Sequence, residues 1–213
     1  MTNKKVLAVG AHPDDIELGC AGTLSKLIKE GWDVTCLIMV DPHDFDDTRP
    51  KEVVYREFEN SFSILDIKDF DIVFTSPIIE KCILTVDSDS VEHFESITEV
   101  YNTEWDLVIT HHNGDSHQDH KNTSDIVYSF CRKNVKELWF MESALYFNRN
   151  KSFQPNVFVG IDKHIDTKIE SLSCYDSYMN QARLNLVVDL ARIRGGMTTD
   201  KHAEAFQQMH RIL

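Results

Sequence analysis

Two short segments of this 213-residue chain concentrate side chains that can bind a metal ion. The first reads HPDD at residues 12–15, and the second reads HHNGDSHQDH at residues 111–120. Imidazole nitrogens and carboxylate oxygens are ligands that zinc accepts, and a catalytic zinc keeps three protein ligands and one open position. The two segments together predict a catalytic metal site built from His12, one aspartate of the first segment and one histidine of the second.

The two aspartates of the first segment are expected to do different work. Pro13 fixes its own φ, so the turn is stiff and the side chains of Asp14 and Asp15 point in different directions. One carboxylate can then bind the metal while the other removes a proton from water, because zinc makes water beside it more acidic. Spacing and chemistry leave open which aspartate has which role.

In the second segment, the spacing of the histidines indicates which of them can act together. His117 and His120 are three residues apart, so both face one site if the segment opens a helix. Asp119 stands where it could orient one of them. Consecutive residues that leave a strand point in opposite directions, so at most one of His111 and His112 is expected to face the site. Neither of those two is assigned as a ligand.

Each segment also has an explanation without a metal. An aspartate after a strand is often the N-cap of the next helix, and histidines in a loop are often solvated. Either segment alone is compatible with that explanation. The occurrence of both, each directly after a predicted strand, favours a metal site.

The elements that hold these segments alternate between strands and helices. Apolar runs rich in β-branched residues predict strands or extended pieces at Lys5–Gly10, Asp33–Val40, Ile72–Phe74, Asp106–Thr110, Glu137–Met141 and Asn156–Ile161. Helical spacing predicts helices at Cys20–Glu30, Pro50–Leu65, Ser90–Tyr101, Asp119–Lys133, Lys163–Tyr175, Met179–Arg194 and Lys201–Ile212. The polar segment Asp41–Lys51 is predicted to be a mobile loop.

This alternation predicts an α/β fold with a Rossmann-like, mostly parallel sheet and helices on both faces. In an open sheet of that kind, ligands bind beyond the carboxyl ends of the strands. Both polar segments stand at such strand ends, so the predicted fold would bring them to one edge of the sheet.

Length and composition limit the class of protein. A chain of 213 residues suits a single domain over residues 1–213, and a formal charge of −13 argues against binding to nucleic acid or to an anionic membrane. The five cysteines include no Cys-x-x-Cys pair and predict neither a disulfide framework nor a cysteine zinc site. The apolar run near the N-terminus is too short for a signal peptide or a membrane span, so we expect a cytoplasmic protein.

The sequence resembles the PIG-L (LmbE-like) family of zinc-dependent N-acetylglucosaminyl deacetylases and related amidases. The resemblance is carried by AHPDDIELGCAGTL at residues 11–24 and DLVITHHNGDSHQDH at residues 106–120. KIESLSCYDSY at residues 168–178 and HAEAFQ at residues 202–207 are similar to the family's C-terminal pattern. The resemblance implies an LmbE-like fold. It also implies that His12, Asp15 and His120 bind the metal and that Asp14 is the general base.

The resemblance implies further roles around this centre. His117, in its protonated form, would help to stabilise the oxyanion, and Asp119 would support the site from behind. A substrate-binding arginine is expected just ahead of residue 57, where Arg49 and Arg56 are both candidates.

We therefore expect a metal-dependent hydrolase that removes an N-acetyl or N-acyl group from a small N-acetylglucosamine-type amino sugar or its conjugate. The alternatives are an amidase acting on a thiol-sugar or amino-sugar antibiotic conjugate, and a metal-binding protein without turnover. Zinc is the expected cofactor, although Fe²⁺ accepts the same ligands. A nucleotide site is disfavoured, because the glycines near the first segment do not follow the GxGxxG spacing. The sequence leaves open the sugar, its carrier and whether the protein forms a homo-oligomer.

Overall fold

A computed structural model describes residues 3–41, 50–74, 84–102, 104–133, 135–142 and 153–211. These residues form seven strands and six helices, which alternate along most of the chain. In chain order they are β1 (Lys5–Gly10), α1 (Asp15–Lys29), β2 (Asp33–Val40), α2 (Lys51–Ile64), β3 (Asp69–Phe74), α3 (Ser88–Tyr101), β4 (Trp105–His111), α4 (Gln118–Phe130), β5 (Val135–Met141), β6 (Val157–Gly160), α5 (Ile165–Ser173), α6 (Gln181–Gly195) and β7 (Ala203–Arg211).

The strands form one mostly parallel sheet in the order β3-β2-β1-β4-β5-β7-β6. Strands β3, β2, β1, β4 and β5 are parallel to one another, and β7 is antiparallel to both β5 and β6. The chain proceeds outward from β1 in one direction through β2 and β3, and then crosses to β4 on the other side of β1. The carboxyl ends of β1 and β4 therefore flank the topological switch point, which is where open α/β sheets bind ligands.

Helices cover both faces of the sheet, as expected for buried parallel strands. In β1, Val6 and Ala8 pack into the core shared with α1, α2, α5 and α6, whereas Leu7 and Val9 pack into the core shared with α3 and α4. All four side chains are fully buried. The structure thus confirms the predicted Rossmann-like α/β class. No helix within the described ranges has the length and apolar character needed to cross a bilayer.

The prediction of a helix at Lys201–Ile212 is wrong, because residues 203–211 form β7. Alanine, glutamate, glutamine and methionine favour helices, which explains the error. Strand β7 instead pairs on one side with β5 and on the other with β6, and Ala203, Ala205 and Phe206 are buried there. Tertiary pairing overrides the local preference. Most of the predicted loop at Asp41–Lys51, residues 42–49, lies outside the described residues.

A buried ion pair joins α5 to β7, and both of its side chains contact the middle of α1. Lys168 Nζ lies 2.6 Å from Glu204 Oε1, and both side chains are almost fully buried. Gly22 N–H and Leu18 C=O are partners of each other in a regular α-helix. Here Glu204 accepts from Gly22 N at 2.9 Å, and Lys168 donates to Leu18 O at 2.8 Å. The pair therefore helps to place the helix whose first turn forms part of the site.

Gly22 also allows α1 to pack closely against Ile161, the residue that follows β6. A Cβ atom added at Gly22 would lie 2.8 Å from Ile161 Cδ1, and Ile161 is fully buried. We expect Gly22→Ala to lower the free energy of unfolding by about 1 kcal/mol, because overpacking costs about 1–3 kcal/mol and exceeds the gain of about 1 kcal/mol in helix propensity. Urea unfolding measures the change. In an Ile161→Ala background, which removes the two closest atoms, the penalty should shrink, and an equal penalty in both backgrounds would contradict the close-approach explanation.

Candidate metal centre and catalytic site

The HPDD segment connects β1 to α1 at the switch point. Asp14 occupies the N-cap position of α1 with φ 101° and ψ −24°, but its side chain makes no capping hydrogen bond. The helix begins at Asp15, five residues before its predicted start. A positive φ is uncommon for a residue other than glycine and costs about 1–3 kcal/mol where surrounding structure imposes it. This turn directs the two neighbouring carboxylates toward different partners.

Asp15 lies at the centre of a cluster of histidines and is 3% exposed. Its Oδ2 atom is 3.3 Å from His12 Nδ1 and 3.2 Å from His111 Nε2, and its Oδ1 atom is 3.2 Å from His120 Nε2. The His12 backbone N–H also donates to Asp15 Oδ2 at 2.8 Å. Residues from the two polar segments are therefore brought together around one carboxylate, as the sequence predicts.

The second segment enters the site through the first turn of α4. His117 is the N-cap, and its Nδ1 atom accepts a hydrogen bond from the Asp119 N–H at 3.2 Å. His120 follows one turn later and is fully buried, with its Nδ1 atom 2.9 Å from Asp115 Oδ2. The His120 ring stacks between those of His117 and His111, at centroid distances of 4.6 and 4.0 Å. The spacing of three residues thus brings His117 and His120 together as predicted.

Opposite charges shape the protonation of this cluster. Burial opposes ionisation of Asp15, but the charges on His120 and His111 outweigh it and hold the pKa of Asp15 well below its ordinary value. Burial likewise opposes the charged form of His120, but Asp15 and Asp115 raise its pKa to about 10. The pKa of His111 falls to about 4, mainly because of burial and the neighbouring His120. Asp15 and His120 thus stabilise each other's charged forms.

The donor atoms fit a metal ion. Two overlapping triplets have ligand atoms within 4.8 Å of one another, namely His12/His117/His120 and Asp15/His111/His120. Two ligands at about 2.1 Å from a tetrahedral zinc stand roughly 3.4 Å apart. Asp15 lies 3.3 Å from His12 and 3.2 Å from His120, close to that spacing. Nitrogen and oxygen donors of this kind suit zinc, so the residues present are compatible with it.

Asp14 and Asp119 occupy different positions around the cluster. Asp14 belongs to neither triplet, is 5% exposed and accepts a hydrogen bond from the Tyr178 hydroxyl. Asp119 Oδ2 lies 3.2 Å from His12 Nε2, on the opposite ring nitrogen from the one that faces Asp15. A carboxylate behind a ligating histidine fixes the orientation of the imidazole. Asp119 therefore stands where a supporting group is expected.

The structure describes one of the two predicted substrate-binding arginines. Arg56 lies in α2 with an exposed side chain, and within the described ranges no hydrogen bond or ion pair joins it to the metal centre. Arg49 lies outside the described residues.

Sequence reasoning missed three contributors to the site. His111 faces the cluster, while His112 packs against the rings of Phe140 and Phe153, so one of the two histidines faces the site. Asp115 contacts His120, and Tyr178 contacts Asp14. The five-residue spacing of Asp115 and His120 could suggest a contact, but no local pattern indicates that Tyr178 reaches Asp14.

Comparison with known proteins identifies relatives of this chain. The family model described as PIG-L, GlcNAc-PI de-N-acetylase, matches residues 7–131, which is more than half of the chain and includes both polar segments. YaiS of Escherichia coli (strain K12), described as an uncharacterized deacetylase, is 26% identical over 190 residues, covering 82% of this chain and 91% of YaiS.

Solved structures share the fold at low sequence identity. The N,N'-diacetylchitobiose deacetylase from Pyrococcus horikoshii has a TM-score of 0.78 at 18% identity, covering 97% of this chain and 84% of that one. The 4-carboxy-2-hydroxymuconate hydratase GalB from Pseudomonas putida KT2440 also has a TM-score of 0.78, at 13% identity. The match covers 99% of this chain and 98% of GalB. A deacetylase and a hydratase share this architecture, so the reaction has to be inferred from the residues of the site.

Proposed function

Because the chain belongs to the PIG-L family of de-N-acetylases, we propose that it hydrolyses the N-acetyl amide of an N-acetylglucosamine-type amino sugar or its conjugate. The observation that carries the proposal is the position of Asp14, a buried carboxylate next to the His/Asp cluster but outside both triplets. Amide hydrolysis needs an activated carbonyl, a base for the attacking water and an acid for the leaving amine. The site contains candidates for each of these functions.

His12, Asp15 and His120 would hold the metal, which we propose to be zinc. This set takes its members from both triplets, and it is supported by the distances of 3.3 Å from Asp15 Oδ2 to His12 and 3.2 Å from Asp15 Oδ1 to His120 and by the burial of Asp15 and His120. A zinc ion held there would act as a Lewis acid that stabilises negative charge on a carbonyl oxygen and makes water more acidic.

Asp14 would serve first as the base and then as the acid. Its carboxylate takes a proton from the attacking water as the water oxygen bonds to the amide carbon. The same proton then passes to the nitrogen as the C–N bond breaks, giving acetate and a free amino sugar. The different surroundings of the two aspartates support assigning the metal to Asp15 and the proton to Asp14. Asp15 is enclosed by histidines, while Asp14 contacts Tyr178.

His117 would donate a hydrogen bond to the oxyanion as a neutral imidazole. Its Nδ1 atom accepts the Asp119 N–H, so Nδ1 carries no proton and Nε2 carries the ring hydrogen. We propose neutral donation, whereas the family resemblance implies the protonated form of His117. A donor aimed at the position where charge develops is worth about 10²–10³ in kcat.

The function is tested by acetate release from a panel of acetylated substrates. The panel contains N-acetylglucosamine, N,N'-diacetylchitobiose, a nucleotide-linked and an inositol-linked N-acetylglucosamine, and an acylated aminoglycoside. We expect release from at least one substrate, loss of release with a chelator and recovery on adding Zn²⁺. A protein that binds zinc stoichiometrically but releases acetate from none of them would contradict the proposal and favour a metal-binding protein without turnover.

A further inference from the structure

The turn between α5 and α6 reaches across the structure to the HPDD segment. Residues 174–180 form this turn, in which the N–H groups of Tyr178 and Met179 both donate to Tyr175 O, at 3.2 and 2.7 Å. The Tyr178 hydroxyl donates to Asp14 Oδ2 although the two residues are 164 positions apart in the sequence. The turn therefore touches the carboxylate to which we assign proton transfer.

Two charged residues hold the turn in place. Glu57 on α2 is 2% exposed and accepts hydrogen bonds from Ser177 N at 2.9 Å and from Ser177 Oγ at 2.7 Å. Arg183 in the first turn of α6 donates from Nη1 to Tyr178 O at 2.8 Å, and its guanidinium lies 5.3 Å from the centre of the Tyr178 ring. The backbone and the ring of Tyr178 are thus fixed from both sides.

The same turn is also fastened to α1. The Tyr175 hydroxyl donates to Glu17 Oε1 at 2.7 Å, and Ser61 Oγ donates to the same oxygen at 2.6 Å. Burial, together with the carboxylates of Glu17 and Asp14, raises the pKa of Tyr175 well above its ordinary value. Tyr175 therefore keeps its hydrogen and remains a donor. Through Glu17, the turn and the start of α1 form one connected unit.

The conformation of Asp14 explains why its contact with the Tyr178 hydroxyl is important. An aspartate at an N-cap normally accepts a hydrogen bond from the first turn of its own helix, and that bond fixes its side chain. Asp14 makes no such bond and has a φ of 101°. The Tyr178 hydroxyl, which comes from the turn between α5 and α6, is suitably placed to orient the Asp14 carboxylate.

We propose that Tyr178 is a positioning residue for Asp14, with its hydroxyl bound to Oδ2 so that the carboxylate is held in the orientation that proton transfer needs. The proposal rests on the function proposed above, because it concerns the carboxylate that transfers the proton. Glu57 and Arg183 act indirectly, because they hold the turn that carries Tyr178. The hydroxyl of Tyr178 touches Asp14 and needs no contact with the substrate.

Tyr178→Phe tests the proposal because it removes only the hydroxyl. With the panel substrate that wild type cleaves fastest, we expect kcat to fall about 10- to 100-fold, as for the loss of one hydrogen bond to a charged group. KM and zinc content should stay within error. The matched control is Tyr101→Phe, whose hydroxyl contacts Asp71 at the amino end of β3, and it should keep the wild-type rate.

A double variant separates positioning from a structural role. If Tyr178 acts through Asp14, then Asp14→Asn combined with Tyr178→Phe should be no slower than Asp14→Asn alone, because the two residues act as a unit. The proposal would be overturned if the fold-decreases in kcat of the two single variants multiplied in the double variant. It would also be overturned if Tyr178→Phe were as fast as wild type.

A readout without substrate distinguishes failure of this inference from failure of the proposed function. In crystal structures of wild type and Tyr178→Phe, we expect the Asp14 carboxylate to leave its wild-type rotamer in the variant. An unchanged rotamer would overturn the positioning role even if the protein deacetylates sugars. Inactivity of wild type on the whole panel would reject the function, while a moved carboxylate would still support the positioning contact.

Discussion

Replacing Asp14 by Asn is expected to lower kcat for acetate release by about 10²–10⁴-fold, the range associated with a general acid or base, while the protein keeps its metal. The amide has nearly the shape of the carboxylate and can still accept a hydrogen bond from Tyr178, but it cannot take a proton from water. Asparagine also tolerates a positive φ, so the turn at φ 101° should persist. Steady-state kinetics and metal analysis of the same preparation provide the two measurements.

Asp66→Asn is the matched control for this variant. Asp66 also has a positive φ, of 58°, but it is exposed in the turn after α2. The control should retain wild-type kcat, KM and zinc content. An Asp14→Asn variant with near-normal turnover would show that another group transfers the proton. A variant that loses its zinc would instead show that Asp14 helps to bind the metal.

His120→Ala is expected to abolish stoichiometric metal binding, whereas His117→Ala should keep the metal and lose activity. His120 belongs to both triplets and is fully buried between two aspartates, so its removal takes away a shared donor. The side chain of His117 is 35% exposed, and Asp15 can complete the ligand set without it. Loss of a supporting group costs about 10–100-fold in metal affinity, so loss of a ligand should cost more.

Zinc content after dialysis and titration of the metal-free proteins distinguish these outcomes. The expected kcat of His117→Ala is about 10²–10³-fold lower than wild type, as for one oxyanion donor. His202→Ala is the control, because His202 pairs with Asp162 and belongs to neither triplet. If His117→Ala loses zinc as completely as His120→Ala while Asp15→Ala retains it, the ligands are His12, His117 and His120.

The location of the site could be predicted because strand ends are recognisable in the sequence. Apolar runs end at Gly10 and at Thr110, and parallel strands place their carboxyl ends at one edge of the sheet. Residue chemistry then indicated a metal site without deciding between Asp14 and Asp15. Only the resemblance to the PIG-L family chose Asp15 as ligand, and the family membership is confirmed by the match over residues 7–131.

The contacts that surround the site could not be predicted in the same way. Tyr178 reaches Asp14 only because α2 and α6 hold its turn, and that arrangement depends on the packing of distant elements. The error at residues 203–211 has a similar origin. A segment with helical propensity becomes a strand when open edges on both sides accept its backbone hydrogen bonds.

The insertion of β7 between β5 and β6 has a consequence for the order in which the molecule can fold. Helix α1 carries Asp15 and is made early in synthesis, yet Gly22 and Thr23 in that helix bond to Glu204, about 180 positions later. Contacts of such high sequence separation form late and slow folding. A nascent chain that lacks residues 203–211 would therefore lack the hydrogen bonds from α1, the helix that carries Asp15, to Glu204.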